Sequence, residues 1–228
     1  MKKNDKVVDY HTSLIRKRAD DIMALEQIAQ KDNIPIMEID GIETMLQFLR
    51  IHQSQRILEI GTAIGYSGIR MLQTLSKAEL YTIERDEMRV ADAVENANKC
   101  GVGSRFHIIP GDALNVYETV QTYAPFDVLF IDAAKGQYSS FFSLYEPMLK
   151  KDGLIFSDNV LFKGMVAGEV ETTTRAVTSM VKKIRSFNKK LMNHPRFTSV
   201  LLPVGDGLMV TIKNEEMKRE DCEQYEDT

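Results

Sequence analysis

Apolar residues in the first quarter of the chain recur at helical spacing: Ile22, Leu25, Ile28 and Ala29, then Ile42, Met45, Leu46 and Leu49. Asn33-Ile34-Pro35 separates the two runs, because proline lacks an amide hydrogen and pushes the residue before it out of helical geometry. After Gln55 the pattern changes. Short apolar runs at Arg56 to Ile60, Glu79 to Glu84, Arg105 to Ile109, Phe126 to Ile131 and Leu154 to Ser157 read as strands buried on both faces. Between them Tyr66 to Leu75, Asp86 to Lys99, Ala113 to Tyr123 and Gln137 to Leu149 have the length and apolar spacing of crossover helices. This alternation predicts an α/β fold: a mostly parallel, doubly wound sheet covered by helices on both sides and preceded by N-terminal helices. Phe197 to Leu202 and Leu208 to Lys213 flank Pro203-Val-Gly-Asp-Gly207, a turn short enough to close the sheet with an antiparallel hairpin.

The pattern divides the chain into a single domain over 1–214, with a helical part (1–54) and a sheet core (55–214), followed by an acidic tail (215–228) expected to be disordered. A hydrophobic fraction of 43% with 27% charged residues is that of an ordinary globular protein and excludes collagenous or low-complexity chains. Cys100 and Cys222 have no metal-type spacing, which points to a reducing, cytoplasmic setting. No run approaches the ~18 apolar residues of a membrane span, so no membrane partner is expected. The net charge of −4 argues against nucleic acid until its distribution is examined. Glu215 to Asp227 carries a net −5, whereas Glu171 to Val200 carries +6 through Arg175, Lys182, Lys183, Arg185, Lys189, Lys190 and Arg196. Such a segment is either a solvated helix face or a surface for phosphates.

Ligands of open α/β sheets gather outside the carboxyl ends of the strands. The first strand ends in Leu58-Glu59-Ile60-Gly61-Thr62-Ala63-Ile64-Gly65-Tyr66-Ser67, a glycine turn that lets backbone approach a ligand. Glu59 beside that turn would repel a pyrophosphate but suit a cation. Glu84 ends the second strand, where a carboxylate can accept hydrogen bonds from ribose hydroxyls. Gly111-Asp112-Ala113 follows the third strand, and its carboxylate could take the amino group of adenine. A positively charged nucleoside suits this set; as the plainer alternative, Glu84 and Asp112 are helix caps. The fourth and fifth strands run into Asp132-Ala-Ala-Lys135 and Ser157-Asp158-Asn159. If these strands are neighbours, Asp132, Asp158 and Asn159 can converge on a hard divalent cation. Lys135 opens a helix, where its charge opposes the helix dipole, so local stability does not account for it. A neutral amine there would serve as a proton acceptor; otherwise it is a solvated lysine. His11, His52, His107 and His194 share no spacing, and no phosphate-loop motif occurs. Met37, just after Pro35, could cover a cofactor.

With these residues in view, the chain resembles the cation-dependent O-methyltransferases, the group containing catechol and caffeoyl-CoA O-methyltransferases. The resemblance spans Pro35 to Lys213 and rests on Leu58 to Ser67, Phe130 to Lys135, Ser157 to Val160 and Leu202 to Gly207. It implies a seven-stranded S-adenosylmethionine fold, with Mg²⁺ or Mn²⁺ held by Asp132, Asp158 and Asn159 and with Lys135 as the base. It also implies that Glu84 holds the ribose, that Asp112 and Ala113 border the adenine, and that Met37, Glu59, Gly61, Ser67 and Asp132 complete the cofactor pocket. Within the family the chain is most similar to members that methylate 5-hydroxyuridine in the tRNA anticodon. Ala133-Ala134, Leu161 to Met165 and the basic segment agree with a tRNA partner, and the resemblance also implies a homodimer. The 5-hydroxyl and 4-carbonyl of that uridine are vicinal oxygens, able to chelate one cation as a catechol does. Small catechols or phenols are the alternative acceptors. A nicotinamide oxidoreductase and a non-catalytic RNA-binding module are the more remote readings.

Overall fold

The computed structural model describes residues 5–214, so the acidic tail and its expected disorder lie outside the described residues. Seven strands form one sheet: β1 (Arg56–Ile60), β2 (Glu79–Glu84), β3 (Phe106–Pro110), β4 (Phe126–Ile131), β5 (Leu149–Ser157), β6 (Phe197–Leu202) and β7 (Leu208–Lys213). Their order is β3-β2-β1-β4-β5-β7-β6; β1 to β5 run parallel, and β7 lies antiparallel between β5 and β6. The helices are α1 (Asp5–Ser13), α2 (Asp20–Lys31), α3 (Ile39–His52), α4 (Tyr66–Thr74), α5 (Glu87–Lys99), α6 (Tyr117–Gln121), α7 (Tyr138–Tyr145) and α8 (Arg175–Met192).

Successive strand residues point to opposite faces, and the core divides accordingly. Ile57, Leu80, Val128, Phe130 and Phe156 pack against α2 to α5, whereas Leu58, Ile60, Ile83, Leu129, Ile131 and Ile155 pack against α7 and α8. Burying both faces is what the near-continuous apolar strands require, at ~1.5–3 kcal/mol for each large side chain removed from water. On α8 the residues Val181, Ile184, Phe187 and Leu191 keep helical spacing and are buried, which leaves Lys182, Lys183, Arg185, Lys189 and Lys190 exposed.

The elements depart from the sequence expectation in several places, among them the fourth crossover, which ends at Tyr145 and not at Leu149. Ile28 is 43% exposed, although it shares the spacing of buried Ile22, Leu25 and Ala29. The third crossover shrinks to α6, because Asp112 folds the preceding residues into a turn, accepting from the amide of Leu114 at 2.8 Å. β3 begins one residue late: Arg105 belongs to a 3₁₀ turn, and its guanidinium donates to the carbonyls of Leu72, Leu75 and Ala78. β5 starts at Leu149, its polar Lys150-Lys151-Asp152 stretch falling at an irregularity in the register with β4. Strand order reverses beside β1, where β2 and β4 lie on either side, and a crevice opens there at the carboxyl ends.

Candidate active site

A cavity of about 520 Å³ occupies this crevice and takes one residue or more from the end of each of β1 to β5. Gly61 makes the approach of β1 to β4 possible: its φ is +101°, and a Cβ there would run into the carbonyl of Asp132. Met37, 4% exposed, closes the cavity from the segment ahead of α3. Ser67 lines it from the first turn of α4.

On the β2 and β3 side the acids are held by backbone. The Glu84 carboxylate accepts from the amides of Ala63 (2.9 Å), Arg85 (2.9 Å) and Asp86 (3.0 Å). Asp112 lines the cavity within its turn, and the carbonyl of buried Ala113 accepts from the Tyr145 hydroxyl at 2.6 Å. The capping alternative fails for both acids, since Asp86 caps α5 and Val116 precedes α6; their carboxylates hold turns instead, and both border the cavity.

Glu59 corrects the expectation that it faces a ligand. Strand alternation turns it away from Leu58 and Ile60 toward α4, where it is fully buried and does not line the cavity. Ser67 and Thr82 donate to its two oxygens, the latter at 2.7 Å, and Thr82 is bonded in turn to Thr62 at 2.6 Å. Burial pushes the Glu59 carboxyl up to about 8 against the pull of these hydrogen bonds. Its place is underneath the cavity wall, fixing Ser67.

The β4 and β5 side brings together the other expected residues: Asp132, Asp158, Asn159 and Lys135 all line the cavity. Asp158 is 2% exposed, and the Tyr138 hydroxyl donates to its backbone carbonyl at 2.9 Å. Lys135 Nζ stands 3.9 Å from Asp132 Oδ1. Burial raises the pKa of Asp132 despite that lysine, and burial together with the charge of Asp132 raises Asp158 well above the usual carboxylate range. Asp206 joins them from the β6–β7 turn and faces Asn159, whose Nδ2 lies 3.4 Å from Asp206 Oδ2. In the sequence Asp206 is a turn residue, and its Val-Gly-Asp-Gly context beside the hairpin is the one local signal of this position.

The loop after β5 has three residues other than glycine in left-handed geometry: Asn159 (φ 55°), Phe162 (φ 44°) and Lys163 (φ 53°). Such geometry persists only where surroundings over-determine it. Here the amides of Val160 and Leu161 each donate at 3.0 Å to the carbonyls of Gly207 and Asp206, respectively. Asn188 of α8 donates to the Val160 carbonyl at 2.9 Å, and Arg185 donates to the carbonyls of Met165 and Val166.

Two desolvated carboxylates and an amide whose nitrogen faces Asp206 form an all-oxygen donor set short of positive charge. Those donors suit a hard divalent ion. Among the described residues no group of three or more His, Cys, Asp or Glu could hold a metal, so a third protein donor beside Asp132 and Asp158 would be the amide oxygen of Asn159.

A doubly wound sheet with an acid-lined cavity at its switch point, oxygen donors and an adjoining amine defines a nucleoside-binding α/β enzyme. The O-methyltransferase family profile matches residues 15–214. The chain is 30% identical to the catechol O-methyltransferase of Niastella koreensis over 218 residues, covering 91% of this chain and 96% of that one. A candidate caffeoyl-CoA O-methyltransferase from Staphylococcus aureus superposes with a TM-score of 0.83 at 34% identity, over 92% of this chain and 98% of that one. The SAH-bound Podospora anserina methyltransferase gives 0.82 at 26% identity, over 94% and 97%. This chain belongs to the O-methyltransferase family.

Proposed function

We propose that the protein is a divalent-cation-dependent O-methyltransferase that uses S-adenosylmethionine to methylate 5-hydroxyuridine in the tRNA anticodon. One observation carries the chemistry: buried Asp158 and partly exposed Asp132 meet at the cavity beside an amine, Lys135, that offsets their charge only in part. S-adenosylmethionine supplies the methyl group when bound, and Mg²⁺ or Mn²⁺ supplies the Lewis acidity that makes a hydroxyl acidic. Glu84 orients the ribose hydroxyls with the lone pairs its backbone donors leave free, and Asp112 and Ala113 border the base. Met37, Gly61 and Ser67 enclose the rest of the cofactor. Asp132, Asp158 and Asn159 would hold the cation, with Asp206 orienting the Asn159 amide. Lys135 takes the acceptor's proton at Nζ as the oxygen becomes the nucleophile.

The acceptor reading draws on the exposed lysines of α8, on the small Ala133 and Ala134 in the cavity wall, and on the vicinal oxygens of 5-hydroxyuridine. A small catechol is the second reading, favoured by the Niastella koreensis relative. Nucleoside mass spectrometry of tRNA from cells with and without the protein tests the first: 5-methoxyuridine is expected to vanish, and 5-hydroxyuridine to accumulate, when the protein is missing. Unchanged 5-methoxyuridine, together with turnover of free catechol by the purified protein, would replace it with the second.

A further inference from the structure

α8 passes the 3₁₀ turn Lys135–Gln137, and there Lys183 lies against Gly136: a Cβ on that glycine would stand 3.9 Å from both Cδ and Nζ of the lysine. Gly136 sits between Lys135 and Gln137, which both line the cavity, so Lys183 lies against the turn that carries Lys135. Its helix contains no acid. The other bases of α8 differ in what they do. Arg185 is engaged by the carbonyls of Met165 and Val166, and Lys190 donates to Ser143 at 3.1 Å and lies 5.0 Å from the center of the Phe142 ring. Lys183 is exposed and has no ion pair among the described residues. A second exposed lysine, Lys163, lines the cavity from the strained loop, its amide fixed by Asp206 at 2.5 Å.

Lys163 at the cavity and Lys183 beside the Lys135–Gln137 turn are both exposed cations able to meet an anion, and a neutral catechol offers none. A nucleotide within a strand carries a phosphate on either side of its base. Resting on the tRNA reading above, we infer that Lys183 and Lys163 pair with the phosphates flanking the acceptor nucleotide, so that the enzyme recognises a residue inside a chain in preference to a free nucleoside. The basic segment then contains one residue that addresses the acceptor itself, in addition to any that hold the remainder of the RNA.

The test is steady-state methylation of an anticodon stem-loop carrying 5-hydroxyuridine, with and without neutral methylphosphonates at the two flanking positions. Lys183→Gln is expected to raise KM about three- to tenfold on the natural RNA, the effect of one partly exposed charged contact. On the neutralised RNA the same substitution should change KM by less than a factor of two, on the order of RT. The slope of log KM against log salt should flatten by about 0.7 for a single-strand contact. Lys182→Gln, one position away, should lose the same factor on both RNAs. An equal loss from Lys183→Gln on both RNAs, or no loss on either, overturns the inference while leaving the tRNA reading standing. Failure of the wild-type protein to methylate any of these RNAs while it turns over catechol overturns the tRNA reading, and this inference with it.

Discussion

The two sides of the cavity use the same residue type under opposite electrostatic conditions. At the ends of β2 and β3, Glu84 is surrounded by three backbone amides and Asp112 by one, so these carboxylates are oriented before any ligand arrives. At the ends of β4 and β5, desolvation dominates both Asp132 and Asp158, and Lys135 compensates only partly. The contrast follows from where backbone donors point. The glycine turn after β1 supplies the Ala63 amide to the first side, and the turns after β2 and β3 supply the others. On the second side, the left-handed Asn159 and the incoming Asp206 add oxygen atoms to those already present. Under the proposed function, the first side would meet neutral hydroxyls and the second a cation.

Four measurements would break or sharpen this contrast. The largest effect is expected on the cation side: Asp158→Ala, or excess EDTA with the wild type, should reduce methyl transfer below detection, with circular dichroism showing an intact fold. Full turnover in EDTA would mean that the two sides do not differ in the way proposed. Next, Lys135→Met should slow single-turnover methyl transfer by about 10² to 10⁴, the range for a lost general base, while calorimetry still detects the cofactor. A rate within a few-fold of wild type would reduce Lys135 to a positioning residue. On the amide-lined side the effect should be smaller and confined to binding: Glu84→Ala should weaken S-adenosylmethionine by about 1.5 to 3 kcal/mol. Undiminished affinity in calorimetry would remove Glu84 from the ribose.

The smallest effect on turnover is expected at Glu59, beneath the wall between the two sides, and it is read in stability. Its carboxyl lies near 4.5 when unperturbed and near 8 in the fold, so the folded state binds the extra proton within that window. The contribution is therefore fully present below the unfolded value and declines as pH rises from about 4.5 through about 8. Denaturant unfolding between pH 5 and 8 should show a steeper decline in the metal-free wild type than in Glu59→Gln, whose amide is neutral throughout, the raised Asp132 and Asp158 contributing alike to both. Equal slopes in the two proteins would show that Glu59 is ionised in the fold.

Most of this site could be read from the sequence because strand ends are legible. Near-continuous apolar runs such as Phe126 to Ile131 have no other reading in a βα alternation, and the polar residue that follows must emerge at the carboxyl edge. Glu59 was misplaced because proximity to the glycine turn outweighed parity, although Leu58 and Ile60 already assign position 59 to the opposite face. Asp206 and Lys183 depend on contacts across 47 residues in one case and between α8 and Gly136 in the other, and no local spacing encodes either. The shortened α6 reflects a competition that apolar periodicity does not register, that of an aspartate side chain for backbone amides.

The insertion of β7 between β5 and β6 also fixes a schedule for biosynthesis. Chains fold as they emerge, N-terminal segments first, and the strands that carry Glu84 and Asp112 are made early and can pair as soon as β1 to β4 exist. Asp206 belongs to the hairpin that brings the last strand of the sheet, and the loop holding Asn159 rests on Asp206 and Gly207. A nascent chain halted before β7 would therefore present a nucleoside-binding face beside an unfinished donor set. Under the proposed function, methyl transfer would then wait for the final strand to enter the sheet.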